Sequence, residues 1–551
     1  MPGVCSRWLW LISFSFTFVS AFAQKKGKHD LFTLQLLEKH VKLLADDRMQ
    51  GRRAGTFGAD LARDYIKDRF EEYGLAPGAI GSEWVQTFSI YEGKEADSSC
   101  LLIMDGEQLT QGIDYFPLPW SKNGSIEAVA SPALFESWSP WMIDLVKLRE
   151  GQENNPHFDI TKAIREKEKQ ATGKGSTALI FYNNHLLSEP ITFNRYDTSA
   201  GSSIPIIILN QRISEEIAVD IYYTWDVQLK VEMRDRVRLT SNVVGYLNNE
   251  APSTVVIGAH YDHLGYGEDH NSRYTGEPVV HNGADDNASG TAALIELARL
   301  LKKNGNKSFN YLFVAFSAEE LGLHGSKYFT ENLSVPLSEI NYMINLDMIG
   351  RLNDSTRTLT IGGVGTSPSW GQLIYAEKKL PFKIKTDSSG TGPSDHTSFY
   401  RKGIPVLFFF TGLHNDYHRP EDDPEKINYK GQLDIVNYIC RLINRSSKEE
   451  RLVFTKTREQ ATTTGARFSV SLGIMPDYTY TGMGVKADGI STDKPAEKAG
   501  ILTGDIIISL DQHEVSSLEA YMKILSQYKK GDPAQVKVKR GENELIFSIV
   551  F

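Results

Sequence analysis

From Asn242 onward the chain alternates short, β-branched apolar runs with stretches of helical period, and few folds accommodate that alternation. Thr254 to Ala259, Tyr311 to Phe316, Tyr342 to Leu346 and Pro405 to Phe410 read as strands, and Ala288 to Lys303 reads as a helix. Continuous apolar runs are what strands buried on both faces require. Regular exchange of strand and helix predicts an α/β fold, a three-layer sandwich with helices on both faces of a mostly parallel central sheet.

The segments around this region divide the rest of the chain. Leu31 to Leu44, and Leu61 to Tyr73 before Gly74, carry apolar residues at helix spacing. Between Asp114 and Val237 the texture changes to short strands and turns, such as Ser176 to Tyr182 and Ile204 to Leu209, which predicts a β-rich insert. The expected organisation is a discontinuous central domain (24–113 and 238–446), an insert (114–237), a charged and Thr-rich linker (447–466) and a separate C-terminal unit (467–551). Trp8 to Ala23 follows Arg7, is too short to span a bilayer, and ends in Ala21-Phe22-Ala23. That pattern predicts a signal peptide over 1–23, a secreted or periplasmic protein, and no membrane span after cleavage, with an uncleaved anchor as the alternative. A net charge of −9 argues against a nucleic-acid partner. Cys5 leaves with the signal peptide, and Cys100 with Cys440 is too little for a disulfide framework.

Active sites of open α/β sheets form beyond the carboxyl ends of the strands. Here His260-Tyr261-Asp262-His263 ends one strand, Asp285-Asp286 leads into a helix, Glu319-Glu320 follows the next strand, Asp347 ends another, and His418 lies in the loop after the last. Each has an ordinary explanation when taken singly. Asp286 with Asn287 could cap the following helix, and Glu319-Glu320 could open one. Five chain positions supplying imidazole and carboxylate at one sheet edge instead point to a metal site of oxygen and nitrogen donors, which suits zinc better than calcium or copper.

These segments resemble the M28 family of metallopeptidases, the aminopeptidase Y and bacterial leucyl aminopeptidase group. The resemblance runs through Leu44 with Gln50-Gly51-Arg52, Gly55-Thr56-x-Gly58, His260 to Gly265, Gly283 to Gly290, Phe316 to Gly322, Asn345 to Gly350, Ser394-Asp395-His396 and Tyr417 to Asp422. It implies a zinc-exopeptidase fold and a secreted aminopeptidase with two zinc ions bridged by Asp286. One ion would also hold His260 and Asp347, and the other Glu320 and His418. Glu319 would be the general base acting on a metal-bridged water, and Asp262 the carboxylate that fixes the His260 tautomer. His414 is the rival ligand; His263, His281, His324 and His396 read as rim or packing residues, and Asp395 as a partner of His418 or part of the substrate pocket.

The insert resembles a protease-associated domain through Gly173 to Tyr182 and Ile204 to Ile206, and the C-terminal unit resembles a bacterial PDZ domain through Ser471 to Ile474 and Pro495 to Ile507. The substrates implied are peptides with a free amino terminus. The PDZ-like loop either captures a peptide carboxyl terminus or belongs to a stabilising appendage. Alternative functions are a carboxypeptidase or glutaminyl cyclase of the same family, and a catalytically silent peptide-binding adaptor.

Overall fold

The computed structural model describes residues 30–551 apart from 152–157, 189, 198–199, 270, 275, 305–306, 458–469, 477–479, 481, 491–493, 517 and 526. The expected signal segment 1–23 lies outside the described residues. In the central unit, β1 (Val85–Ala96), β2 (Met233–Leu247), β3 (Thr254–His260), β4 (Asn310–Phe316), β5 (Ile340–Leu346), β6 (Thr358–Gly362), β7 (Lys383–Thr386) and β8 (Val406–Phe410) form one sheet. Its order is β2-β4-β3-β5-β8-β6-β7, with β1 also paired to β2.

The four apolar runs read from the sequence become the four central strands. β4, β3, β5 and β8 are parallel neighbours, and every residue of β3, β4 and β5 is buried. Parallel pairing is confined to this centre and to the outer pair β6 and β7, because β2 runs antiparallel to β4 and β6 antiparallel to β8. The sheet is therefore mixed, where the sequence suggested a mostly parallel one.

Helices cover both faces. One apolar core joins the sheet to α1 (residues 30–44), α2 (Phe57–Glu72), α3 (Gly290–Asn304), α5 (Ser369–Tyr375) and α7 (Tyr429–Ser446). A second core on the opposite face includes Phe329 of α4 (His324–Glu331) and Phe399 and Tyr400 of α6 (His396–Arg401). The parallel centre brings the carboxyl ends of β3, β4, β5 and β8 to one edge, and that common edge is what assembles the site.

Two boundaries differ from the sequence reading. Leu101–Met104 pairs with Val227 to Lys230, and Leu102, Met104 and Leu109 share a core with Val227 and Leu229, so these strands belong to the insert. Residues 233–237 belong instead to β2, paired with β1. The insert holds two four-stranded sheets. The second correction concerns the expected linker: Leu452 is buried in the central core, so the chain after α7 continues as a docked strap before the undescribed residues 458–469. The C-terminal unit has its own sheet and its own core.

Candidate metal centre

His260 is the last residue of β3, Glu319 and Glu320 follow β4, Asp347 follows β5, and His418 sits in the loop beyond β8. Asp286 enters from the turn leading into α3. That turn demands glycine at both ends. Gly283 has φ 54°, and a Cβ there would lie 2.1 Å from the Asp286 carbonyl oxygen; a Cβ on Gly290 would lie 2.4 Å from the Leu346 carbonyl oxygen. Ala318, Met348 and His418 also adopt left-handed φ, of 57°, 50° and 56°. Non-glycine residues avoid this region at a cost on the order of 1–2 kcal/mol, and such strain concentrates at functional sites.

The side chains converge in two groups that share one carboxylate. His260 Nε2 lies 3.5 Å from Asp286 Oδ1 and 3.5 Å from Asp347 Oδ1. His418 Nε2 lies 3.3 Å from Asp286 Oδ2 and 3.1 Å from Glu320 Oε2. Asp286 therefore turns one oxygen to each imidazole. Glu319 Oε2 stands 3.9 Å from His260 Nε2, beside the first group. The closest-knit donor sets are His260, Glu319 and Asp347 in one group and His263, Asp286 and Glu320 in the other.

His263, one of the four histidines that the sequence placed at the rim or in packing, stands in the second group. Its side chain is fully buried, with Nδ1 2.8 Å from Glu320 Oε1 and 4.0 Å from Asp286 Oδ2. The signal for it was its position three residues past a strand end, beside His260 and Asp262. His414 stands apart from both groups, its Nε2 3.3 Å from Asp285 Oδ2. His396 stacks on Phe408, and His281 faces the Ser272 hydroxyl at 2.7 Å.

Surrounding hydrogen bonds aim these groups. The His418 Nδ1–H donates to the Asn271 carbonyl, 2.9 Å away, which leaves Nε2 as the ring nitrogen turned toward the carboxylates. The Ser394 hydroxyl donates to Asp347 Oδ2 at 2.7 Å, so Oδ1 is the oxygen turned to His260. Asp422 Oδ2 accepts from the amides of Asp285 and Asp286 at 2.9 and 3.0 Å. Asp262 does something different from what was expected. Its carboxylate accepts the Glu319 and Glu320 amides at 3.1 and 3.4 Å, whereas His260 Nδ1 is 3.8 Å from Oδ1 and 3.2 Å from the Asp262 backbone carbonyl. It thus fixes the glutamate pair more directly than the imidazole. Arg52 is fully buried and donates to the carbonyls of Leu44, Tyr261, Asn282 and Gly283, tying together the segments that carry His260 and Asp286.

Charge separates the adjacent glutamates. Burial, opposed by His260 but reinforced by Asp395, Asp347 and Glu320, holds the Glu319 carboxyl well above the usual range. Burial acts in the same direction on Glu320, yet His418 and the hydrogen bonds from His263 and His418 overcome it and hold that carboxyl well below. Burial alone would lower the His418 imidazole, but Glu320 and Asp286 push it up to about 11. Burial raises Asp395 to about 7, and the charged groups acting on it are His260 and Asp347, not His418. Glu320 is thus disposed to remain an anion, and Glu319 to take up a proton.

Residues 242–443 match the family model described as peptidase family M28, and residues 465–550 match a PDZ domain. Aminopeptidase YwaD of Bacillus subtilis is 29% identical over 301 residues, 52% of this chain and 60% of YwaD. Leupeptin-inactivating enzyme 1 of Streptomyces exfoliatus is 36% identical over 146 residues, 26% of this chain and 32% of that protein. The chain therefore spans less than two thirds of the length of these curated relatives. Among solved structures, the zinc aminopeptidase BSAP from Bacillus subtilis aligns with a TM-score of 0.43 and 21% identity, covering 76% of this chain and 98% of that one. Residues 242–443, which carry the whole convergent set from His260 to His418, are a peptidase family M28 domain, and the chain joins it to a PDZ domain.

Proposed function

We propose that the chain is a secreted, zinc-dependent aminopeptidase that holds two zinc ions and removes amino-terminal residues from peptides. The observation that carries this reading is Asp286, whose two oxygens each face an imidazole that is itself paired with a further carboxylate. The donors fit the metal: imidazole and carboxylate are zinc ligands, and Asp286, Glu320 and Asp347 are packed together at low exposure, where like charges call for a cation between them. His260, Asp286 and Asp347 would hold one ion and Asp286, Glu320 and His418 the other, with His263 bracing Glu320. When bound, such a pair lowers the pKa of water and polarises the scissile carbonyl.

The chain's own residues supply the rest. Glu319 accepts a proton from the attacking water at its carboxylate and returns it to the departing amine, a role suited to its raised proton affinity. Asp262 holds the Glu319 amide, which fixes where that carboxylate starts from. Ser394 keeps Asp347 turned toward His260. The names of the relatives support exopeptidase action at a free amino terminus. Secretion rests on the apolar run Trp8 to Ala23; among the described residues no helix is long and apolar enough to cross a membrane. In the PDZ unit, Ile474–Pro476 ends its sheet and follows Gly473 at φ 86°, which supports docking of a peptide carboxyl terminus along that edge.

The test is metal analysis of purified protein together with hydrolysis of matched free and N-acetylated peptides. Two zinc ions per chain and cleavage of the free peptides alone are expected. Internal cleavage without amino-terminal trimming would overturn the assignment.

A further inference from the structure

Downstream of α7 the chain does not leave the domain. The Arg451 guanidinium donates to the carbonyls of Ser338 and Ile340, the latter at 2.9 Å, and the Leu452 amide donates to Asn341 Oδ1 at 2.9 Å, all at the start of β5. Leu452 enters the core on the α7 face, while Phe454 packs against Tyr400 on the α6 face, ring centroids 5.5 Å apart. The segment therefore crosses from one layer to the other. The Thr455 amide then donates to the Thr366 carbonyl at 2.8 Å.

Its last described residue reaches the site's surroundings. Thr457 Oγ1 accepts the Gly390 amide at 2.9 Å. The Tyr400 hydroxyl accepts the Thr457 amide at 3.0 Å and donates to the Thr457 carbonyl at 3.2 Å. Gly390 lies flat on the Tyr400 ring, since a Cβ there would fall 2.1 Å from ring carbon Cδ2. Four residues on, Ser394 accepts from Asn345 Nδ2 at 2.7 Å and donates to Asp347 Oδ2 at 2.7 Å. The strap is thus linked by a hydrogen bond to Gly390, by the backbone of residues 390–394 to Ser394, and by the Ser394 hydroxyl to the carboxylate facing His260.

We infer that residues 451–457 are a positioning element of the peptidase domain: they anchor loop 387–395 so that Ser394 presents its hydroxyl to Asp347. The inference rests on the metallopeptidase reading. Sequence alone disguises the element, because a Thr-rich, charged stretch next to a separate domain reads as a tether. Its physical role follows from hydrogen-bond direction. Asp347 has one oxygen for His260 and one for Ser394; releasing Ser394 lets the carboxylate rotate about its last torsion, and the first group loses its geometry.

The test uses the full chain with Thr457→Val, Ser394→Ala and the double variant. Valine keeps the volume and backbone contacts of Thr457 but removes the acceptor for Gly390. Amide exchange of peptide 387–396 in chelator-treated protein should quicken about 3- to 10-fold in Thr457→Val, the range expected for one hydrogen bond, with global melting nearly unchanged. In zinc-loaded protein, kcat should fall by a similar factor and KM should hold. In the Ser394→Ala background the same substitution should add little to either the zinc release rate or kcat, because both act through Asp347. Unaltered exchange in Thr457→Val, or full additivity with Ser394→Ala, overturns the positioning role. Because exchange is read without metal or substrate, it separates failure of this inference from failure of the peptidase reading, which total inactivity of the unmodified chain would signal.

Discussion

Glu319 and Glu320 are neighbours in sequence but sit in opposite electrostatic settings, and glutamine at each position tests the separate roles proposed for them. Glu320 Oε2 is 3.1 Å from His418 Nε2 and Oε1 is 2.8 Å from His263 Nδ1, so Glu320→Gln replaces the anion of the second group by a neutral amide. Even outer partners of metal ligands change affinity about 10- to 100-fold when removed, and a direct ligand should exceed that. Zinc per chain should therefore fall toward one after dialysis, with partial return of activity in excess zinc. Glu319 lies 3.9 Å from His260, which keeps Asp286 and Asp347 at 3.5 Å without it. Glu319→Gln should retain both ions but lose proton transfer, a factor of about 10² to 10⁴ in kcat, or roughly 3 to 5 kcal/mol of barrier. Inductively coupled plasma analysis beside steady-state kinetics on a free peptide reads both quantities. If Glu319→Gln lost a zinc while Glu320→Gln kept two, the roles would be exchanged. If neither substitution slowed hydrolysis, the whole site would be refuted.

Three further outcomes follow from the same geometry. Arg52→Met strands the carbonyls of Leu44, Tyr261 and Asn282, while that of Gly283 keeps the Ala288 amide; each stranded group is worth about 1–3 kcal/mol, so chemical denaturation should show a loss of at least about 3 kcal/mol, and a loss below about 1 kcal/mol would contradict the contacts. A chain ending after Arg458 should keep the melting temperature and activity of the peptidase domain, whereas one ending after Ser446 should melt lower, since burial of Leu452 alone is worth about 1.5–3 kcal/mol; equal melting would refute it. Zinc requires neutral imidazoles, and the carboxylates hold His260 well above its usual range and His418 up to about 11. Binding must then expel protons throughout the neutral range, so affinity should rise with pH by about tenfold per unit for each proton released. Calorimetry in buffers of different ionisation heat counts those protons, and a pH-independent affinity between pH 6 and 8 would count against the assignment.

The central strands were legible because strands buried on both faces leave uninterrupted apolar runs, as Val255 to Ala259 and Tyr311 to Phe316 do. Strand direction was not legible. The antiparallel placement of β2 and β6 depends on pairings such as Val243 with Ala315 and Thr360 with Phe410, which join residues far apart in sequence. The insert boundary failed for the same reason. Leu101 to Met104 looks like a continuation of the preceding strand until Val227 to Lys230 is seen beside it.

The site shows a sharper division between what composition encodes and what only packing decides. His260, Asp286, Glu319, Glu320, Asp347 and His418 could be named because each follows or precedes a strand or helix whose period is readable, and parallel central strands force those ends together. His263 follows no such rule. It lies three residues from His260, where a loop can turn its side chain either way, and its direction is set by the pairing of its amide with the Arg52 carbonyl and by the close approach of Gly283 to its ring. Asp262 repeats the lesson, since its carboxylate was available to either His260 or the Glu319 amide, and the left-handed turn at Ala318 decides for the amide by bringing that N–H to it. Residues whose role depends on a loop's handedness are therefore the ones for which sequence spacing is silent, and at this site they are the residues that orient the glutamate pair.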